Sequence, residues 1–154
     1  MLLPTVAAVF VMCTGTLAGA LVAVERAVVP MLLSLARQTW SEVHRLLDPG
    51  FDPLMPRVNK VALAAGLALA LLAPGAAAKA AFAAALAGVV GVALVSELRN
   101  VRMNRRVDAW ARAGEYPETW TELRSDWARA NRTRTAFAVF AFLAALGGCA
   151  LAWA

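Results

Sequence analysis

Charge is distributed along this chain in long blocks. Residues 1–24, 61–78, 80–96 and 135–154 contain no Asp, Glu, Lys or Arg. A helix needs about 20 predominantly apolar residues to cross the hydrocarbon of a bilayer, with a working range of roughly 17–25. The four runs hold 24, 18, 17 and 20 residues, so each is predicted to span. The two middle runs meet at Ala73-Pro74-Gly75, where proline cannot continue a helix and glycine tolerates positive φ. A tight helical hairpin is expected there, with Lys79 close to its tip. Between the runs the polar positions recur at helical spacing. Trp40 and His44 are four apart, and Glu97, Asn100, Asn104 and Asp108 follow at steps of three, four and four, which predicts one shared polar face. Asp48-Pro49-Gly50 is expected to end the first charged helix. The fold predicted is all-α: a bundle of four transmembrane helices with amphipathic cytoplasmic helix extensions, in one integral membrane domain over residues 1–154.

Composition agrees. The chain is 61% hydrophobic and 16% charged, with a mean hydropathy of +0.64; soluble domains carry nearer a quarter charged residues. Its net charge of +5 would suggest nucleic acid on a soluble protein. Beside four apolar runs, anionic lipid headgroups are the expected partner and no nucleic acid is. Residues 25–60 carry five basic side chains and 97–134 carry nine, leaving only Lys79 for the opposite face. The positive-inside rule then makes segments 25–60 and 97–134 cytoplasmic and both termini external, in a bacterial-type inner membrane. The apolar start lacks the basic region of a secretory signal, so it is expected to be an uncleaved helix. Cys13 and Cys149 lie inside apolar runs, without the spacing of a zinc site, and read as buried structural thiols. Ala83-Ala84-Ala85, Gly88 and Gly91, with Gly15 and Gly19, suit close packing within one chain; the oligomeric state is left open.

Chemistry must lie in the charged segments. The first helix is expected to run on past Glu25 and to kink at Pro30, which sets Glu25 at the membrane boundary, a costly place for a carboxylate. His44 is the only histidine, and its side chain suits proton transfer near neutral pH. Arg99, Arg102 and Arg106 form a stripe suited to headgroup phosphates. Thr119 with Glu122 fits a capping box that starts the last helix, whose Trp120, Leu123, Trp127 and Asn131 share one side. Trp110, Trp120 and Trp127 suit either an interfacial aromatic belt or the wall of a pocket.

The run Asn100-Val101-Arg102-Met103-Asn104, then Trp110, then Trp120, Arg124, Trp127, Asn131, Arg134 and Thr135, resembles the signature of the anthrone oxygenase-like small four-helix membrane proteins. Some fungal members of that family are assigned to oxidation of anthrones to anthraquinones. Many members have His where this chain has Asn131, so the resemblance carries no metal or base role to that position. It implies a membrane-embedded oxygenase acting on a hydrophobic aromatic, anthrone-like or polyketide-like small molecule. Such a reaction removes an acidic C–H proton, stabilises the enolate and admits O2. Glu25, His44 and Glu97 are the candidate bases, the carboxylates through pKa values raised by a low dielectric. Asn100, Asn104, Trp110, Trp127, Asn131 and Arg134 are the candidate substrate-binding residues, with Asn104, Asn131 and Arg134 suited to the oxyanion. No cofactor is obligatory for this chemistry; a copper or iron centre on His44, Glu25 and Glu97 is the alternative. The competing class is a non-enzymatic membrane scaffold or partner subunit.

Overall fold

The computed structural model describes residues 2–51 and 54–153, and among these every regular element is helical. Helix α1 (Leu2–Ala23) passes through a wide π-turn at Val24–Val28 into α2 (Val29–Ser34), so the first rod runs unbroken past Glu25. Pro30 sits in the first turn of α2. The rod stops at Leu35, whose backbone is extended (ψ 147°). Helices α3 (Arg37–Phe51), α4 (Met55–Leu72) and α5 (Ala76–Val95) follow. A second π-turn, Ser96–Asn100, joins α5 to α6 (Val101–Ala113), and α7 (Trp120–Trp153) closes the chain. The rods Leu2–Ser34, Met55–Leu72, Ala76–Ala113 and Trp120–Trp153 are each long and apolar enough to cross a membrane.

Several boundaries differ from the uncharged runs. Helix α4 begins at Met55, taking in Arg57 and Lys60, because a long basic side chain at a span's end can reach the interface without breaking the helix. The run 61–78 is cut by residues 73–75, where Gly75 takes a φ of +76°. Helix α3 does not end at Asp48-Pro49-Gly50 but continues to Phe51, with Pro49 inside it. Proline there has no N–H to bond the carbonyl four residues back, and the helix closes two residues later. The expected linker residues Asp52 and Pro53 lie outside the described residues. Pro56 occupies the first turn of α4, where a missing N–H costs nothing.

The spans form a ring in which α1 packs on α4 and α7, and α5 packs on α4 and α7. The α5–α7 approach is the tightest, and its small residues explain why. A Cβ added to Gly88 would stand 2.9 Å from the Ala141 Cβ and 3.0 Å from the Phe137 carbonyl oxygen. One added to Gly91 would meet the Phe137 ring at 2.7 Å. Gly15 seats the Phe142 ring of the same chain, while Gly19 faces open space. Polar groups inside the spans are satisfied locally: Thr14 and Thr16 donate to the carbonyls of Phe10 (2.9 Å) and Met12 (2.8 Å). Cys13 and Cys149 are free thiols and only partly buried.

One apolar core, including Phe10, Leu69, Phe82 and Val89, fills the spans; a second, including Leu32, Trp40, Val107 and Trp127, lies at their far end. Leu2, Leu3, Pro74 and Trp153 meet at one end of the ring. Helices α3 and α6 pack together at the other. The hairpin tip and the charged helices therefore occupy opposite ends of the bundle.

Candidate functional site

Both π-turns open into one cavity of about 330 Å³ between the two cores. A π-turn closes on i→i+5 hydrogen bonds, here Val29 N–H to Val24 C=O and Val101 N–H to Ser96 C=O. The extra residue widens the helix and changes which side chains face inward, and such turns are often found at functional sites. Leu17, Leu21, Leu63 and Val92 line the apolar part. His44, Glu97, Asn100, Asn104, Trp127 and Arg134 line the polar part. The α3 face carrying Trp40, Ser41 and His44 is buried, which brings the imidazole against the cavity.

His44 is 4% exposed, and its Nε2 has no hydrogen-bond partner among the described residues. Its ring meets the Trp127 ring edge-on at 5.0 Å and tilts against Trp40 at 5.4 Å. Burial, and secondarily the positive charge of Arg134, push its pKa down from 6.5 to about 4. The imidazole is therefore neutral at physiological pH and holds a proton less firmly than an exposed histidine does. Trp127 Nε1 donates to Asn104 Oδ1 at 3.1 Å, tying α7 to α6. Asn100 is 1% exposed, and neither end of its amide has a partner among the described residues.

Behind the cavity wall runs a chain of polar contacts. Asn131, fully buried, donates from Nδ2 to Glu25 Oε2 at 2.7 Å. Its Oδ1 accepts from Arg134 Nε (3.1 Å) and from Arg134 NH2 (2.9 Å). Glu25 also holds Arg132 through Nε at 3.0 Å. Glu25 is thus placed to hold Asn131, and Asn131 to aim the guanidinium that lines the cavity. Arg124 donates to the Leu35 carbonyl at 3.0 Å and lies 4.5 Å over the Trp120 ring. Arg37 reaches the Tyr116 carbonyl at 3.3 Å. The two arginines pin the break before α3 to the start of α7.

Residues 49–144 match the model of a protein family described as anthrone oxygenase. The chain belongs to this family. No curated protein and no solved structure matches it. In this anthrone oxygenase family member the matched stretch contains Glu97, Asn100, Asn104, Trp127, Asn131 and Arg134, whereas Glu25 and His44 lie before it.

The cavity thus gathers His44, Glu97, Asn100, Asn104, Trp127 and Arg134. Glu25 and Asn131 stand behind it, and Trp110 packs into the lower core away from it. Of the expected shared face of Glu97, Asn100, Asn104 and Asp108, the first three line the cavity, Glu97 exposed and Asn100 buried, while Asp108 is absent from its lining and pairs with Arg112 at 2.5 Å. His44, Glu25 and Glu97 are not assembled as a metal-holding group, and among the described residues no three or more His, Cys, Asp or Glu side chains are. Sequence reasoning missed Asn59, which lines the cavity with a buried Oδ1 that has no partner among the described residues. The available signal was its spacing, since Met55, Asn59 and Leu63 are four apart at the start of an apolar span.

Proposed function

We propose that this protein is a membrane-embedded oxygenase that takes a flat, apolar aromatic ketone and oxidises a methylene beside its rings. The observation that carries this reading is the buried His44, its Nε2 unpartnered among the described residues, in a cavity that is apolar on one side and carries Arg134 on the other. His44 takes the acidic C–H proton, and the electron pair moves onto the substrate carbonyl oxygen. Arg134, aimed by Asn131, stabilises that oxyanion, with Asn104 beside it. O2 adds at the carbanionic carbon to give a hydroperoxide. Loss of water then leaves a carbonyl. One oxygen atom ends in the product and the other in water, and all four electrons come from the methylene carbon, so no outside reductant is consumed.

Glu25 is a positioning residue in this scheme, because Asn131 and Arg132 already hold both of its carboxylate oxygens. The apolar part of the cavity suits a substrate delivered from the bilayer. By the positive-inside rule the charged helices and the polar part of the cavity face the cytoplasm of a bacterial-type inner membrane, with both termini outside.

The test is oxygen uptake by the purified protein in detergent with anthrone as substrate, with anthraquinone formation followed in parallel. One O2 per anthraquinone is expected, and His44→Gln should lower kcat by about a hundredfold or more, the usual scale of a lost general base. Uptake no faster than in a detergent blank, or an unimpaired His44→Gln, would overturn the reading.

A further inference from the structure

We propose that Arg57 and Lys60, beside the mouth of the cavity, seat the phosphate of an anionic phospholipid, drawn inward because α4 is too short to span. The uncharged part of this helix, residues 61–72, holds 12 residues. At 1.5 Å per residue it covers about 18 Å, against about 30 Å of hydrocarbon. The rest of the uncharged run 61–78 lies in the hairpin and the first turn of α5. Glycine contacts give the register of the rods. A Cβ added to Gly66 would meet the Phe10 ring at 2.9 Å and Leu86 at 3.3 Å, so these three share a level. Counted along each helix, Lys60 lies about 9 Å below that level, Arg57 about 13 Å, Glu97 about 16 Å and Glu25 about 22 Å. Lys60 therefore sits about 7 Å inside Glu97 and about 13 Å inside Glu25, the charges that end the neighbouring spans. An ionisable side chain at such depth is costly unless something pairs with it.

Both cations are exposed, and neither makes an ion pair or a hydrogen bond among the described residues. Glu97 lines the same cavity but stands lower and pairs with neither. Spaced three apart, Arg57 and Lys60 share one helix face. Side chains on a helix lean toward its N-terminus, which in α4 is the end that bears the charged helices, so both reach toward the headgroups. Of the residues lining the cavity only Pro56, Lys60 and Glu97 are exposed, which sets its mouth beside this pair. A lipid phosphate is the anion at hand near this depth, and local thinning of the bilayer closes the remaining gap. An anionic lipid is favoured over a choline lipid, whose ammonium would bring a third positive charge to the two already there. The seat stands apart from the oxidation proposed above and does not rest on it.

The test is a melting titration of the delipidated protein in neutral detergent, read by tryptophan fluorescence. Phosphatidylglycerol, phosphatidylcholine and inorganic phosphate are the three probes. Phosphatidylglycerol should raise the melting temperature, because a ligand of the folded state stabilises it. Its half-saturating concentration should lie about tenfold or more below that of phosphatidylcholine, since each cation beside an anionic headgroup contributes about fivefold. Inorganic phosphate should not reproduce the effect at the same concentrations. Arg57→Gln with Lys60→Gln should bring the two lipids to within about threefold of each other. Arg105→Gln with Arg112→Gln removes two exposed cations of α6, farther from the hydrocarbon, and should leave the preference intact. Equal action of the two lipids on wild type, or a preference that survives in the Arg57 and Lys60 variant, would overturn the proposal. So would a preference lost in the α6 variant, which would mean that general charge attracts the lipid. Stabilisation by inorganic phosphate would make this a site for soluble anions and overturn the lipid assignment. Without lipid, the Arg57 and Lys60 variant should melt close to wild type, because these cations bond nothing in the protein. A variant that melts far below wild type or fails to fold would contradict that premise and end the proposal.

Discussion

Lowering the pH removes the neutral imidazole from the cavity, and the structure sets where this happens. The His44 pKa moves from 6.5 in the unfolded chain to about 4 in the fold. Above pH 6.5 the ring is neutral in both states and costs nothing. Between 6.5 and about 4 the unfolded chain binds a proton that the folded protein refuses, so stability falls as pH drops; below about 4 both states are charged and the loss stops. At about 1.4 kcal/mol per pH unit, that interval is worth about 3 kcal/mol. For a chain of this length, a loss of that size lowers the melting temperature by roughly 6–12 °C. Activity should follow a different curve. At pH 5 roughly nine-tenths of a base with a pKa near 4 is still neutral, against roughly 3% for an unshifted histidine. The acid limb of kcat/KM should therefore lie near pH 4. Arg134→Gln should move it upward, though not back to 6.5, because burial is the larger cause of the shift. The assay pairs oxygen uptake with thermal unfolding by tryptophan fluorescence across pH 3.5–8, on wild type and His44→Gln. An acid limb near 6.5, or a melting curve whose pH dependence is the same in His44→Gln, would refute the reasoning.

Other perturbations test the frame around the cavity. Glu25→Ala should lower kcat by about tenfold by releasing Asn131 and so Arg134, and Glu25→Gln should recover most of the loss because it keeps an acceptor for Asn131 Nδ2; equal effects in initial-rate measurements would remove the positioning role. Gly88→Ala should destabilise by about 1–3 kcal/mol, since its Cβ would meet Ala141 and the Phe137 carbonyl, while Gly19→Ala, facing open space, should be near neutral in the same melting assay. Cysteines placed at Lys79 and at Arg105 should react with an impermeant thiol reagent from opposite sides of a sealed vesicle; labelling from one side would break the four-crossing arrangement.

The spans were legible because hydrocarbon leaves so little choice. Twenty uncharged residues with a terminal arginine can do little else, and the hairpin at Ala73-Pro74-Gly75 is written in residues that break helices. Phase was harder to read. Glu97, Asn100, Asn104 and Asp108 fall on one stripe at 3.6 residues per turn, and the first three do line the cavity, but the wide winding between Ser96 and Asn100 that lies among them has no signal in that spacing, and Asp108 is drawn to Arg112 instead. Pro49 misled too: a proline usually closes a helix before itself, but α3 carries it in its last turn and ends two residues later. The importance of Asn131 was visible in the motif resemblance, but its role was not. Only the fold shows that its two ends join Glu25, 106 positions away in sequence, to Arg134 one turn on. Asn59 escaped because a lone amide at the head of an apolar helix looks like a cap until the opposite wall is known.

The wide turn at Ser96–Asn100 works as a phase shifter in a continuous rod. Above it, the small residues of α5 must face α7; below it, the apolar stripe of α6, Met103 and Val107, must face the lower core. A uniform helix carries one orientation from end to end, so one residue out of step reconciles the two demands. Winding the same residues as a regular α-helix would turn everything below by about 100° and carry Met103 and Val107 off the lower core. Deleting one residue would instead remove the wide turn and leave α6 facing as it does. The extra residue therefore decides which side chains the turn itself presents to the chamber, Glu97 and Asn100 among them.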